Sequence, residues 1–178
     1  MSNQEKVAKD AIKSFLSHEL TCESKTDKVA LYRCAQPGTS CFSFRVVVAP
    51  GCIVVYGDIG DGMIYNYKSF QDQIPWLRGS VNSSRYLIDK MVFAEREFCE
   101  ETAKANWENE KENYEEGDEE FEDIVSDNYP DQAWYNFFYG SLRCDESPGC
   151  EDYKIGVYWT VECLKKFIEL LDKENSNG

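Results

Sequence analysis

Two aspartates three residues apart, Asp58 and Asp61, stand in the glycine-rich run GDIGDG, and Arg78 and Arg85 follow within thirty residues. Carboxylates on one turn with arginines nearby are the residue types from which a small-ligand site is built, the arginines suiting an anionic group such as a nucleotide phosphate. The run lacks the oxygen-ligand spacing of an EF-hand, and it is not a GxGxxG fingerprint leading into a helix. Ordinary turn chemistry is the plainer reading of Gly57, Asp58, Gly60, Asp61 and Gly62, because glycine and aspartate both accommodate tight turns. Hydrolytic chemistry has little to draw on. His18 is the chain's one histidine, it falls on an expected helix, and any Ser-His-Asp or Cys-His device would have to use it. HExxH, the Walker A sequence and paired zinc-ligand motifs do not occur.

Eight cysteines raise the question of metal or disulfide: Cys22, Cys34, Cys41, Cys52, Cys99, Cys144, Cys150 and Cys163. None forms a CxxC pair, and the spacings fit no familiar zinc pattern. The N-terminal stretch is amphipathic and charged, without the apolar core of a secretory signal. The expectation is a cytoplasmic chain whose cysteines are reduced and act as small apolar residues. No cofactor and no metal are expected, and no membrane span, since no apolar run approaches the required length.

The strongest signal is electrostatic. The chain has a formal net charge of −14, with 33 acids and 19 bases. Residues 95–131 hold 16 of those acids against three bases (Arg96, Lys104 and Lys111), and everything else is close to neutral. Localised charge acts on partners, and the commonest strongly basic grooves in a cell are built for nucleic acid. If residues 95–131 were wholly helical they would span about 55 Å at ~1.5 Å per residue. That gives roughly one acid per 3.5 Å, near the ~3.4 Å phosphate spacing of one DNA strand. At about 100° per residue, Glu97, Glu101, Glu108, Glu112, Glu115 and Glu119 fall within ~60° of one another. Trp107 and Tyr114 lie off that stripe as aromatic anchors. The bland alternative is a solvated helix face, which charge runs usually are. Direct nucleic-acid binding is not expected, because the field repels phosphate and the patch of Lys25, Lys28 and Arg33 is small.

The elements that must position these residues read as α+β. A helix is expected over residues 4–20, with Val7, Ala8, Ala11, Ile12, Phe15 and Leu16 as its apolar stripe. Four short runs rich in Val, Ile, Phe and Tyr follow at 28–34, 41–49, 51–57 and 63–67, punctuated by Pro37-Gly38, Pro50-Gly51 and GDIGDG. They predict an antiparallel sheet of three to four strands. A helical period then runs over 84–116 through Leu87, Met91, Ala94, Phe98, Thr102 and Ala105, with Glu100 and Lys104 as an i,i+4 pair. A final helix is expected over 158–171. The sheet should pack against the N-terminal, central acidic and C-terminal helices in one domain spanning 1–178, with 95–131 an acidic helical or loop segment able to project.

The strings PGTSCFSFRVVVAPGCIVVYGDIG and SRYLIDKMVFAE, with Arg78-Gly79 between them, resemble a family of phage-encoded accessory proteins. In that family an aromatic-Ser-Phe strand leads through a Pro-Gly turn to a strand ending in Gly-Asp-x-Gly, then to a helix start matched here by Tyr86, Asp89 and Lys90. The resemblance covers roughly residues 31–98. The sequence departs from the family in its C-terminal segment, where GVYWTVE stands in place of a tryptophan-richer stretch, and in the acidity of the middle helix. No activity is established for the family. Small acidic phage accessory proteins are often inhibitors of host machinery, anti-CRISPR proteins among them, and by that analogy the resemblance implies an anti-defence role. The expected function is a non-enzymatic inhibitor that binds a nucleic-acid-binding protein in the host cytoplasm through its acidic segment; the alternative is a small-ligand (nucleotide signal) binder using GDIGDG, Arg78 and Arg85.

Overall fold

The computed structural model describes residues 2–113 and 151–177. Among the described residues the chain is α+β, with five helices, a six-stranded antiparallel sheet and a two-stranded one. Its contacts separate into two compact units: Asn3–Glu95 with Lys154–Gly178, and Met1–Ser2 with Arg96–Tyr153.

The larger unit opens with α1 (Asn3–Ser14). Val7, Ala11 and Phe15 are buried at four-residue spacing, but Ile12 and Leu16, expected on the same stripe, are 72% and 82% exposed. The helix also stops earlier than its apolar period suggests. Phe15 and His18 both turn inward onto Phe44, with ring centroids 5.4 and 6.2 Å from it. The sheet follows in strict sequence order: β1 (Glu19–Lys25), β2 (Ala30–Ala35), β3 (Phe44–Ala49), β4 (Cys52–Gly57), β5 (Gly62–Tyr65) and β6 (Met91–Val92). This is two strands more than the upper expectation. β2 to β5 are the four runs read from the sequence. β1 is an edge strand whose ELTCESK is exposed at six of its seven positions; it is held by backbone pairing to β2 and has no apolar alternation to betray it.

Alternation does decide which face is core. Phe44, Val46 and Val48 of β3 are buried, as are Ile53 and Val55 of β4 and Ile64 of β5, while Arg45, Val47, Val54 and Met63 between them are half-buried on the opposite face. At Pro50-Gly51, Gly51 has φ +80°, the left-handed value that a type II turn demands of its second central residue. That turn sets the β3–β4 register, Ala49 against Cys52.

Between β5 and β6 the chain forms α2 (Phe70–Ser80) and α3 (Ser84–Asp89). α2 is not among the helices expected from the sequence, and its interior Pro75 argues against a helix. Packing overrides it. Leu77 is fully buried, and so is Gln73, which donates from Nε2 to the Ala49 carbonyl at 3.0 Å and accepts from Asn66 Nδ2 at 2.9 Å. The expected helix over 84–116 is broken as well. After α3, Met91 and Val92 join the sheet edge against Ile64 and Met63, and Phe93 adopts φ +62°. α5 (Ile155–Asn177) closes the unit, longer at both ends than expected, and buries Val161, Leu164, Phe167 and Ile168.

The smaller unit contains β7 (Arg96–Phe98), α4 (Glu100–Asn113) and β8 (Glu151–Tyr153). β7 and β8 pair antiparallel, Arg96 opposite Tyr153. The Arg96 guanidinium lies 4.7 Å from the Tyr153 ring centroid and its Nη2 donates to the phenol oxygen at 3.1 Å. Cys99 and Ala103 are buried, and Lys104 lies 3.7 Å from Glu100, the i,i+4 pair read from the sequence.

Candidate functional site

The acidity of the chain coincides with one of its two compact units. Arg96–Tyr153 carries 19 acids against four bases, a net of −15, whereas the remainder has 14 acids and 15 bases, a net of +1. The division falls where the contacts divide, not merely along a sequence window.

The helical stripe proposed from spacing does not hold along its whole length. Glu97 lies on β7, where successive side chains alternate by about 180°, so it cannot share an angular stripe with residues of a helix that begins at Glu100. Glu101 and Glu108 lie on α4 and are exposed. Seven residues apart, they are separated by about 20° at ~3.6 residues per turn, and therefore do share a face. Trp107 and Glu112 belong to the backbone of α4. Tyr114, Glu115 and Glu119 lie outside the described residues.

The GDIGDG turn is bound to α5. Thr160, fully buried, accepts the Asp61 N–H on Oγ1 at 3.0 Å, and the Cys163 thiol points to the Ile59 carbonyl, Sγ to O 3.7 Å. Gly60, at φ +74°, allows this approach: a Cβ there would meet Cys163 Sγ at 3.0 Å and Val55 Cγ1 at 3.1 Å. The Asp58 N–H donates to the Ser43 carbonyl at 2.9 Å. Both aspartates are thus placed by their backbones, with exposed side chains.

Arg78 is engaged elsewhere. Its Nη2 and Nε donate to Asp172 Oδ1 at 2.6 and 3.0 Å. Asp172 is twelve residues beyond Thr160 on α5, about 18 Å along the axis at ~1.5 Å per residue. The structure therefore does not gather Asp58, Asp61 and Arg78 at one point. Arg85, on α3, is exposed.

Asp61 does line a cavity of about 450 Å³, together with Val54, Met63, Val92 and Phe93. One wall is an ion pair, Lys154 Nζ to Glu95 Oε2 at 2.5 Å, reinforced by the Lys154 N–H donating to the Glu95 carbonyl at 3.0 Å. The Lys154 ammonium holds the Glu95 carboxyl below its ordinary range. Spacing offered no route to Phe93, whose importance lies in a backbone angle. Thr160 left a faint sign: a hydroxyl on the apolar face of a helix needs a partner once buried.

His18 is buried against the rings of Phe15 and Phe44. Nε2 lies 2.9 Å from the Phe42 carbonyl and so carries the proton, while Nδ1 is buried with no partner among the described residues. Burial lowers its pKa, with the nearby Lys166 adding to the effect and the Phe42 bond opposing it. Among the described residues no three His, Cys, Asp or Glu side chains converge to hold a metal, and no helix is long and apolar enough to cross a membrane. Six cysteines are free thiols, and Cys144 and Cys150 lie outside the described residues. No protein-family model, curated protein or solved structure matches the chain.

Proposed function

We propose that the acidic unit is a docking surface for a basic, nucleic-acid-binding face of another protein, and that the chain is a phage-encoded, non-enzymatic inhibitor of host nucleic-acid-handling or defence machinery in the host cytoplasm. The observation that carries this reading is the confinement of the charge: a net of −15 on Arg96–Tyr153 beside a net of +1 on everything else. Solubility alone would be served by acids spread over both units. A field concentrated on one of them steers encounter with a cationic groove and competes there with phosphate. Glu97, Glu101 and Glu108 are the described contributors, and Glu112, Glu115, Glu119, Trp107 and Tyr114 are the remaining contact residues of the proposal.

The test is capture of the partner from infected host cells on immobilised full-length protein, followed by elution with duplex DNA. Nucleic acid should release the partner, and binding should weaken steeply as salt rises, because the Debye length falls from about 10 Å at 0.1 M to ~3 Å at 1 M. Replacing Glu97, Glu101, Glu108 and Glu112 together by lysine should abolish capture, and the exposed Glu97, Glu101 and Glu108 should contribute little to stability. Undiminished capture by that variant would refute the assignment of the surface.

A further inference from the structure

The cavity beside Asp61 combines three features that fit one class of ligand. Its floor is apolar by register: Val54 pairs with Met63, and Met63 with Val92, so the three side chains form a row across β4, β5 and β6 on the face away from the core. Its rim is aromatic and strained. Phe93 holds φ +62° although it is not glycine, and the residue is 90% exposed. Each of these costs free energy, and neither is repaid by burial in the chain itself; backbone strain of this kind clusters at ligand clamps. Its charge is a single carboxylate. Glu95 and Lys154 neutralise one another, while Asp61 has no ion pair among the described residues and is held in place through its N–H by Thr160. A carboxylate attracts a cation, an exposed phenyl face attracts a cation further, and the valine and methionine row favours an apolar body.

We propose that this cavity is a binding site for a small organic cation with an aromatic or aliphatic body, its positive group on Asp61 and its body against Val54, Met63 and Phe93. The proposal is independent of the acidic docking surface.

The test is an amide chemical-shift titration of the full-length protein with three probes at millimolar concentration: phenethylammonium, phenylacetate and ethylammonium. Phenethylammonium should give saturable shifts at Gly62, Met63, Phe93 and Gly156. Phenylacetate, with the same ring and the opposite charge, should give none, and ethylammonium, with the charge and no ring, should bind much more weakly. Asp61→Asn should cut phenethylammonium affinity about tenfold, the scale of one charge-assisted hydrogen bond. Phe93→Ala should weaken it severalfold while the Asp61 amide keeps its wild-type shift, showing the turn intact. Equal responses to phenethylammonium and phenylacetate, shifts mapping to another surface, or no saturable shift with any probe would each overturn the proposal.

Discussion

The bond from the Asp61 N–H to Thr160 Oγ1 can be removed almost without changing shape, because Thr160→Val exchanges a hydroxyl for a methyl. Thr160 is 0% exposed, its Oγ1 accepts from Asp61 at 3.0 Å, and the same hydroxyl lies 3.0 Å from the Gly156 carbonyl. The two losses are unequal. The Gly156 carbonyl keeps the i to i+4 backbone bond that helix geometry supplies. The Asp61 N–H has no other acceptor among the described residues, and leaving a partly buried donor unsatisfied costs about 1–3 kcal/mol. Relief from burying the hydroxyl offsets part of this, so the net destabilisation should be about 1–2 kcal/mol. For a chain of this size each kcal/mol moves the Tm by ~2–4 °C, giving a fall of roughly 2–8 °C. Thermal denaturation followed by circular dichroism reads the first quantity, and hydrogen exchange at the Asp61 amide reads its cause. Thr160→Ser, which keeps the oxygen, should retain Asp61 protection even though it loses a methyl contact. An Asp61 amide as protected in Thr160→Val as in the wild type, with an unchanged melt, would refute the claim that this hydroxyl anchors the turn.

Phe93→Gly should raise stability by about 1 kcal/mol in denaturant titration, because glycine adopts positive φ without penalty and the ring surrendered is almost wholly exposed; a loss of stability would show that the ring packs against something. Burial depresses the folded-state pKa of His18 below its ordinary 6.5, so the unfolded chain binds the proton more readily and stability should fall as pH drops below about 6.5. In melts recorded against pH, His18→Gln should lack that component, and parallel curves for the two proteins would contradict the assignment. Native alkylation at neutral pH should label the exposed Cys22 and Cys41 and spare Cys34 and Cys163: burial pushes the Cys34 thiol up to about 12 and raises Cys163 well above the ordinary range. Peptide mapping that found Cys163 labelled in folded protein would mean that α5 opens away from the turn.

What the sequence made legible was whatever a local pattern encodes. The alternation of Phe44, Val46 and Val48 and the Pro50-Gly51 turn located β3 and β4, and the apolar period of Val161, Leu164 and Ile168 located α5. Elements held by tertiary bonds left no such trace. β1 is mostly polar and exposed and depends on its neighbour's backbone, and α2 contains a proline that the burial of Leu77 and Gln73 overrides. The helical period through Leu87, Met91 and Ala94 continues across a point where the chain leaves the helix and Met91 and Val92 pair instead as an edge strand beside β5. At the site, Asp61 was legible from its turn. Arg78 was not separable from it by spacing alone, since its partner Asp172 lies almost a hundred positions away in sequence.

The strut between Glu95 and Lys154 also bears on how this chain can change over time. The acidic stretch leaves the six-stranded unit after Glu95 and re-enters it at Lys154, and those two residues touch through both backbone and side chain. A segment whose ends are already joined is topologically an insertion in a loop. The entropy of closing such a loop grows only logarithmically with its length, each doubling adding about 0.6 kcal/mol. The segment between these two residues can therefore change in length or sequence at small entropic cost while β1 to β6 and α5 keep theirs.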